Sequence, residues 1–267
     1  MRNKKTFGDK RGQVTIFIIL AIVIVAAIVL FFTLTDSGKK ITKNLISGSE
    51  IDVRQELSSC ISDNDKIKES INKVLLQGGT LEPKFYYAYQ GNNIEYLCHT
   101  SSYYQTCYMQ KPLVVNYVED EMQKAIEPEI KGCVQALQAS LTSKGYSLSN
   151  RNYNIDVNLV SENIKVDVDY DLTITKESSQ RFEGFEVKIP SKSYELVSLS
   201  TSILNYEARY GDSDPLQYMI LYPGTKVEKY KQGEGSTIYI LTDRKTDEKF
   251  QFAVRSLAWP PGYGVAE

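Results

Sequence analysis

The sequence predicts an α+β fold: an N-terminal transmembrane helix followed by a soluble domain of helices packed on antiparallel sheet. Three observations carry this. Val14 to Leu34 is an uncharged apolar run, two later stretches carry apolar residues at three- and four-residue spacing, and the middle of the chain alternates apolar and polar residues. The domain plan is a cytoplasmic basic leader (1–13), a transmembrane helix (14–34), a linker (35–50) and an extracytoplasmic α+β domain (51–267).

The apolar run reads VTIFIILAIVIVAAIVLFFTL, with Thr15 and Thr33 its only polar residues. At a rise of ~1.5 Å per residue it reaches about 30 Å, the thickness of a bilayer core. The reading implies the lipid bilayer as a partner through residues 14–34. A buried core helix would carry a polar face, which this run lacks. A cleaved secretory signal is shorter and ends in small residues, whereas this run ends in Phe31-Phe32-Thr33-Leu34-Thr35. Arg2, Lys4, Lys5, Lys10 and Arg11 precede it and only Lys39, Lys40 and Lys43 closely follow, which places the N-terminus in the cytoplasm.

Lys10-Arg11-Gly12-Gln13-Val14-Thr15 abuts the apolar run. This segment resembles the class III, prepilin-type signal peptide of archaeal type IV pilin-like proteins. The resemblance implies a prepilin peptidase as a partner, cleavage between Gly12 and Gln13, and a mature chain beginning at Gln13. Phe17 stands fifth in that mature chain, where many pilins carry a glutamate, and this departure bears on polymerisation.

Charge divides the chain. Of 31 basic and 33 acidic residues, residues 1–34 hold five bases and Asp9, so the remainder carries about −6. An acidic domain lacks the basic surface that phosphate neutralisation needs, so no nucleic-acid partner is expected.

Residues 35–50 are polar, with Gly38 and Gly48, and read as a linker. Ile51–Gln77 carries a helical stripe through Val53, Leu57, Cys60, Ile61, Ile67, Ile71, Val74 and Leu75, with a lapse at Asp63-Asn64-Asp65 and a stop at Gly78-Gly79. Lys84–Gln90 and Ile94–Leu97 read as a hairpin turning at Gly91-Asn92-Asn93, and 98–110 as a polar loop. A second helix opens at Pro112, is kinked or divided at Pro128, and ends at Gly145. Over 153–189, Ile164, Val166, Val168, Tyr170, Leu172 and Ile174 alternate with polar residues, predicting an antiparallel meander with one wet face. That alternation puts Asp167, Asp169 and Asp171 on the wet face of a strand rather than around a calcium loop. Ser191–Tyr210 returns to helix and stops at Gly211, with a short helix after Pro215. Lys226–Tyr230, Thr237–Thr242 and Lys249–Val254 close the domain as three strands before a Trp259-Pro260-Pro261-Gly262-Tyr263-Gly264 tail.

Cys60 on a helix ending in Gln77-Gly78-Gly79, the second cysteine helix around Cys133 and the alternating segment 153–175 together resemble uncharacterised membrane-anchored proteins of small-genome archaea. That resemblance implies no particular activity.

Four cysteines in an exported domain suggest two disulfides. Three pairings are possible. Cys98–Cys107, closing the short loop, and Cys60–Cys133, stapling two apolar helix faces, are preferred. No C-x-x-C spacing exists, so no metal site is assigned. His99 is the lone histidine and reads as a surface loop residue. No nucleotide-binding, zinc-protease or nucleophile-elbow pattern occurs, so no catalytic residue and no cofactor is assigned. Tyr103, Tyr104 and Tyr108, beside the cysteine loop, are a candidate binding patch, because tyrosine combines large area with a polar tip at low entropic cost. The expectation is a membrane-anchored, pilin-like cell-surface protein acting by binding or assembly on other envelope or surface proteins. The alternatives are an envelope enzyme without a recognisable motif or a minor filament subunit.

Overall fold

A computed structural model of the chain describes Leu20, Ile22, Ile24 and residues 52–150 and 153–258. The chain divides into two units, Met1–Asp52 and Val53–Glu267. In the first, Leu20, Ile22 and Ile24 are helical and exposed. The leader, the linker, the remainder of 14–34 and the Trp259–Gly264 tail lie outside the described residues.

The expected fold class needs correction at its first element. No helix among the described residues is long and apolar enough to cross a membrane. The longest, Val114–Ser143, has 30 residues but carries Glu119, Asp120, Glu121 and Lys124 in its first half. Length is therefore met there and hydropathy is not.

In the second unit, the helix expected over Ile51–Gln77 is two: α1 (Val53–Ser62) and α2 (Asp65–Leu76). The lapse in the stripe is a helix start. The Asn64 side-chain carbonyl accepts from the Lys66 and Ile67 amides at 3.0 and 3.4 Å, satisfying two of the donors a helix leaves open. Each helix buries its apolar stripe: Val53, Leu57 and Ile61 in α1, and Ile67, Ile71, Val74 and Leu75 in α2.

β1 (Tyr86–Tyr89) and β2 (Asn92–His99) form the hairpin, with a tighter turn than expected. Tyr89 pairs with Asn92, leaving only Gln90 (φ 48°) and Gly91 (φ 83°), a two-residue loop whose twist matches the strands. β3 (Tyr108–Met109) then pairs with the end of β2, so the loop expected over 98–110 shrinks to 100–107. α3 (Val114–Ser143) runs unbroken through Pro128, which is exposed. Pro128 removes one hydrogen-bond donor but leaves the helix undivided.

The second sheet is built on β6 (Asn163–Thr175). β7 (Ser179–Pro190) pairs along one edge of β6. β5 (Asn154–Val160) and then β4 (Ser147–Asn150) pair along the other. β6 alternates buried and wet residues along its whole length. β7 changes phase where Asp169 and Tyr170 together face one residue, Gly184 (φ 67°), forming a β-bulge. Asp167, Asp169 and Asp171 lie on the wet face, with Asp167 and Asp171 paired to Lys165 and Arg181.

α4 (Ser193–Tyr210) follows, its first amides met from another element: the Lys192 amide donates to Glu248 at 2.6 Å. α5 (Pro215–Leu221) is capped by Asp214. β8 (Thr225–Lys231), β9 (Ser236–Asp243) and β10 (Lys249–Arg255) complete a first sheet ordered β1-β2-β10-β9-β8. The expected antiparallel sheet is corrected at one seam, because β10 runs parallel to β2. α2 and α4 pack on β10. α3 packs on α1, α2 and α4 and also on β5, so it links the helices over one sheet to the other.

Among the described residues two buried side chains carry carboxyl groups, Glu95 and Glu207. Glu207 on α4 is 2% exposed, accepts from the Ser213 amide at 3.0 Å and from the Tyr239 hydroxyl, and lies 3.9 Å from Lys229 Nζ. Lys229 also donates to Asp212. Burial pushes the Glu207 carboxyl above its usual range, against the pull of Tyr239 and Lys229.

Candidate functional site

Two surfaces carry the candidate side chains. The first is the cysteine loop. The Cys98–Cys107 and Cys60–Cys133 disulfides are both present, with Cα atoms 5.3 and 5.8 Å apart, and no cysteine is free. They are the two preferred pairs of the three possible connectivities. Cys98 sits on β2 and Cys107 just ahead of β3, so the bond pins the loop to the strand that carries it. The backbone adds further ties. Thr100 donates to the Arg255 carbonyl at 2.9 Å, Tyr104 to Leu257 at 2.7 Å, and Leu257 back to Gln105 at 3.0 Å. Tyr104 takes a left-handed backbone, φ 60°.

A loop held this firmly has little backbone freedom left to lose on binding. Tyr103, Tyr104 and Tyr108 are 61, 76 and 64% exposed, well beyond what a packed tyrosine shows. The C-terminal end of α4 reaches the same loop: a Cβ placed on Gly211 would lie 3.6 Å from the Thr106 methyl. Tyr210 next to it is half-exposed and packs on Tyr206 at 4.7 Å. Tyr206 and Tyr210 were not singled out from sequence, because they fall outside the apolar stripe of a helix more than a hundred positions away.

His99 is not a loop residue. It ends β2, half-buried, edge-on to Phe85 at 4.6 Å and to Tyr96 at 5.0 Å. Burial and the nearby Arg255 guanidinium lower its pKa, so it stays neutral near pH 7. Its neighbours make it part of an aromatic cluster.

The second surface is a cleft of about 390 Å³ between the segment after Gly79, β2 and the first turns of α3. The helix spacing of Tyr117, Glu121 and Lys124 brings all three to one face of α3. Tyr117 meets Thr80 hydroxyl to hydroxyl at 2.9 Å. Glu121 accepts from the Leu81 amide at 3.0 Å and from Lys124 at 2.7 Å. From β2, Glu95 Oε2 accepts from the Lys84 and Phe85 amides at 3.1 and 3.3 Å. Lys111 lies over the Tyr117 ring at 4.2 Å. Burial raises the Glu95 pKa despite the Phe85 amide and the Lys111 charge. Burial also acts on Glu121, but Lys124 and the Leu81 amide outweigh it and hold that carboxyl low. The cleft thus holds two carboxyls shifted in opposite directions. Sequence reasoning missed it, since Glu95 and Glu121 sit 26 positions apart on a strand and a helix with no motif joining them.

Lys10, Arg11, Gly12 and Gln13 lie outside the described residues. Among the described residues no group of three or more His, Cys, Asp or Glu side chains is placed to hold a metal ion. Comparison with protein-family models, curated proteins and solved structures finds no match to this chain.

Proposed function

We propose that this chain is a pilin-like protein of the cell surface, N-terminus cytoplasmic and C-terminal domain outside, acting by binding or assembly rather than catalysis. The observation that carries the reading is the pair of disulfides. Such bonds persist in oxidising compartments, and they staple α1 to α3 and close the tyrosine loop. The exposed tyrosines on a pinned loop suit contact with other envelope or surface proteins. The prepilin-type segment Lys10-Arg11-Gly12-Gln13 supplies the route: a prepilin peptidase cuts before Gln13, and the apolar residues after it stay with the mature chain. The domain's negative charge weighs against a nucleic-acid partner.

The cleft favours a second reading, an envelope enzyme, because Glu95 and Glu121 are shifted in opposite directions within one depression. Against it, both Glu121 oxygens are engaged, by Leu81 and Lys124. A third reading, a minor filament subunit, would place the protein in sheared surface filaments seen by electron microscopy.

Protease treatment of intact cells, with mass spectrometry of the peptides released and of the cell-retained N-terminus, tests the leading reading. Expected are released peptides from Val53 onward and a mature start at Gln13. Peptides released only after lysis, with a start at Met1, would contradict it.

A further inference from the structure

We propose that the cleft between the segment after Gly79, β2 and α3 binds an uncharged, polyhydroxylated ligand, a saccharide. The inference rests on the cleft alone and is independent of the tyrosine loop.

Several polar groups of the cleft are already committed. Thr80 and Tyr117 satisfy each other, and Glu121 is used by Leu81 and Lys124. Glu82 and Lys84 are exposed at the rim, which leaves Glu95 and Lys111 as the less exposed groups not yet committed. Glu95 is 6% exposed, and its Oε2 holds the Lys84 and Phe85 amides. Its Oε1 takes no hydrogen bond from any described residue, yet it is not among the sealed-off polar atoms. A carboxylate more than nine-tenths buried therefore turns one bare oxygen to the cleft, held in place by two amides on the other. Lys111 Nζ donates no hydrogen bond to a described residue and rests on the Tyr117 ring.

An acceptor and a donor left bare on the walls of one cleft are complementary to a diol. One hydroxyl donates to Glu95 Oε1 and the other accepts from Lys111 Nζ. Charge argues the same way. The walls carry Lys84, Lys111 and Lys124 against Glu82, Glu95 and Glu121, so a ligand with net charge gains no net field. Leaving water is costly for such a ligand without one. Leu81 is the one aliphatic side chain in the lining, so an apolar ligand would strip water from polar groups and return nothing. The cleft's volume falls at the small end of the ~300–1,000 Å³ typical of small-molecule sites, which suits one or a few sugar rings.

Saturation-transfer NMR with the full chain tests this. The probes are glucose, N-acetylglucosamine and maltose, with inorganic phosphate and free lysine as charged comparators. Transfer to at least one saccharide is expected. Affinity should fall by about tenfold or more in K111M and in E95Q, the loss of one charge-assisted hydrogen bond. Lys111→Met keeps the stem on Tyr117 and breaks no hydrogen bond of the fold, so it reads out even if Glu95→Gln folds poorly. No transfer to any saccharide would overturn the proposal. So would transfer unchanged in both variants, or Lys111-dependent binding of phosphate or lysine instead. None of these outcomes bears on where the mature chain begins or whether it reaches the cell surface.

Discussion

Glu207 links stability to pH through a single side chain. Its folded pKa is raised, first by burial. A carboxyl shifted this way favours the fold fully only below its unfolded pKa, and that contribution is lost as pH rises through the folded value. Asp212 has the opposite sign. Burial acts on it too, but Lys229 and Lys231 hold it low, so its contribution is lost as pH falls. Comparing wild type with E207Q removes the Glu207 ionisation while Asp212 is retained. Gln keeps an acceptor for Ser213 and Tyr239 but cannot ionise. In urea unfolding, the advantage of E207Q over wild type should grow from acid pH toward neutrality. A gap constant with pH would refute this assignment.

Gly79 is a second residue-scale test. It has φ +77°, and an added Cβ would lie 2.3 Å from Val118 Cγ2, a fully buried side chain of α3. Gly79→Ala should therefore cost about 2 kcal/mol or more in chemical unfolding, through backbone strain and overpacking together. At this scale sequence reading had partial reach. It saw Gly78-Gly79 as a stop signal but not as a close approach, which depends on a helix arriving from 39 positions away. It also left Glu95 unmarked, because an acid amid β2 reads as a wet-face residue until the Lys84 and Phe85 amides are seen to hold it.

The helices and strands themselves were the most legible level. The alternation from Ile164 to Ile174 is read directly in the burial of β6, and the stripe through Val118, Met122, Ile126 and Ile130 in α3. The misses have local causes. β4 has four residues, too few to establish a period. The bulge at Gly184 shifts the phase of β7 without a pattern visible in one strand. The parallel seam between β2 and β10 joins residues more than 150 positions apart, and no local signal specifies it.

The two disulfides should also behave differently as element-level staples. Cys60 and Cys133 lie 73 positions apart and Cys98 and Cys107 nine apart. The chain-entropy argument gives about 4 kcal/mol for the longer loop and about 3 for the shorter. Paired Cys→Ser replacement at 60 and 133 should lower the urea midpoint more than the pair at 98 and 107. The latter pair should instead speed proteolysis within residues 99–107, whose loop it closes. Equal midpoints in the two double variants would contradict the ordering.

At the scale of the whole molecule, an apolar N-terminal segment, proposed above to be prepilin-like, precedes an acidic, disulfide-stapled α+β unit. The first part was legible only as sequence pattern, and the described helices do not supply a membrane-crossing element. The second part is where composition and structure converge, because four cysteines over 215 residues are all used in two bonds. Such bonds persist in oxidising compartments, and the proposed location stands on them. The most direct test is non-reducing peptide mapping of the protein taken from its native cells, with thiols alkylated at lysis. The account expects linked Cys60–Cys133 and Cys98–Cys107 peptides and no alkylated cysteine. Recovery of all four cysteines in alkylated form would place the domain in a reducing compartment and contradict it.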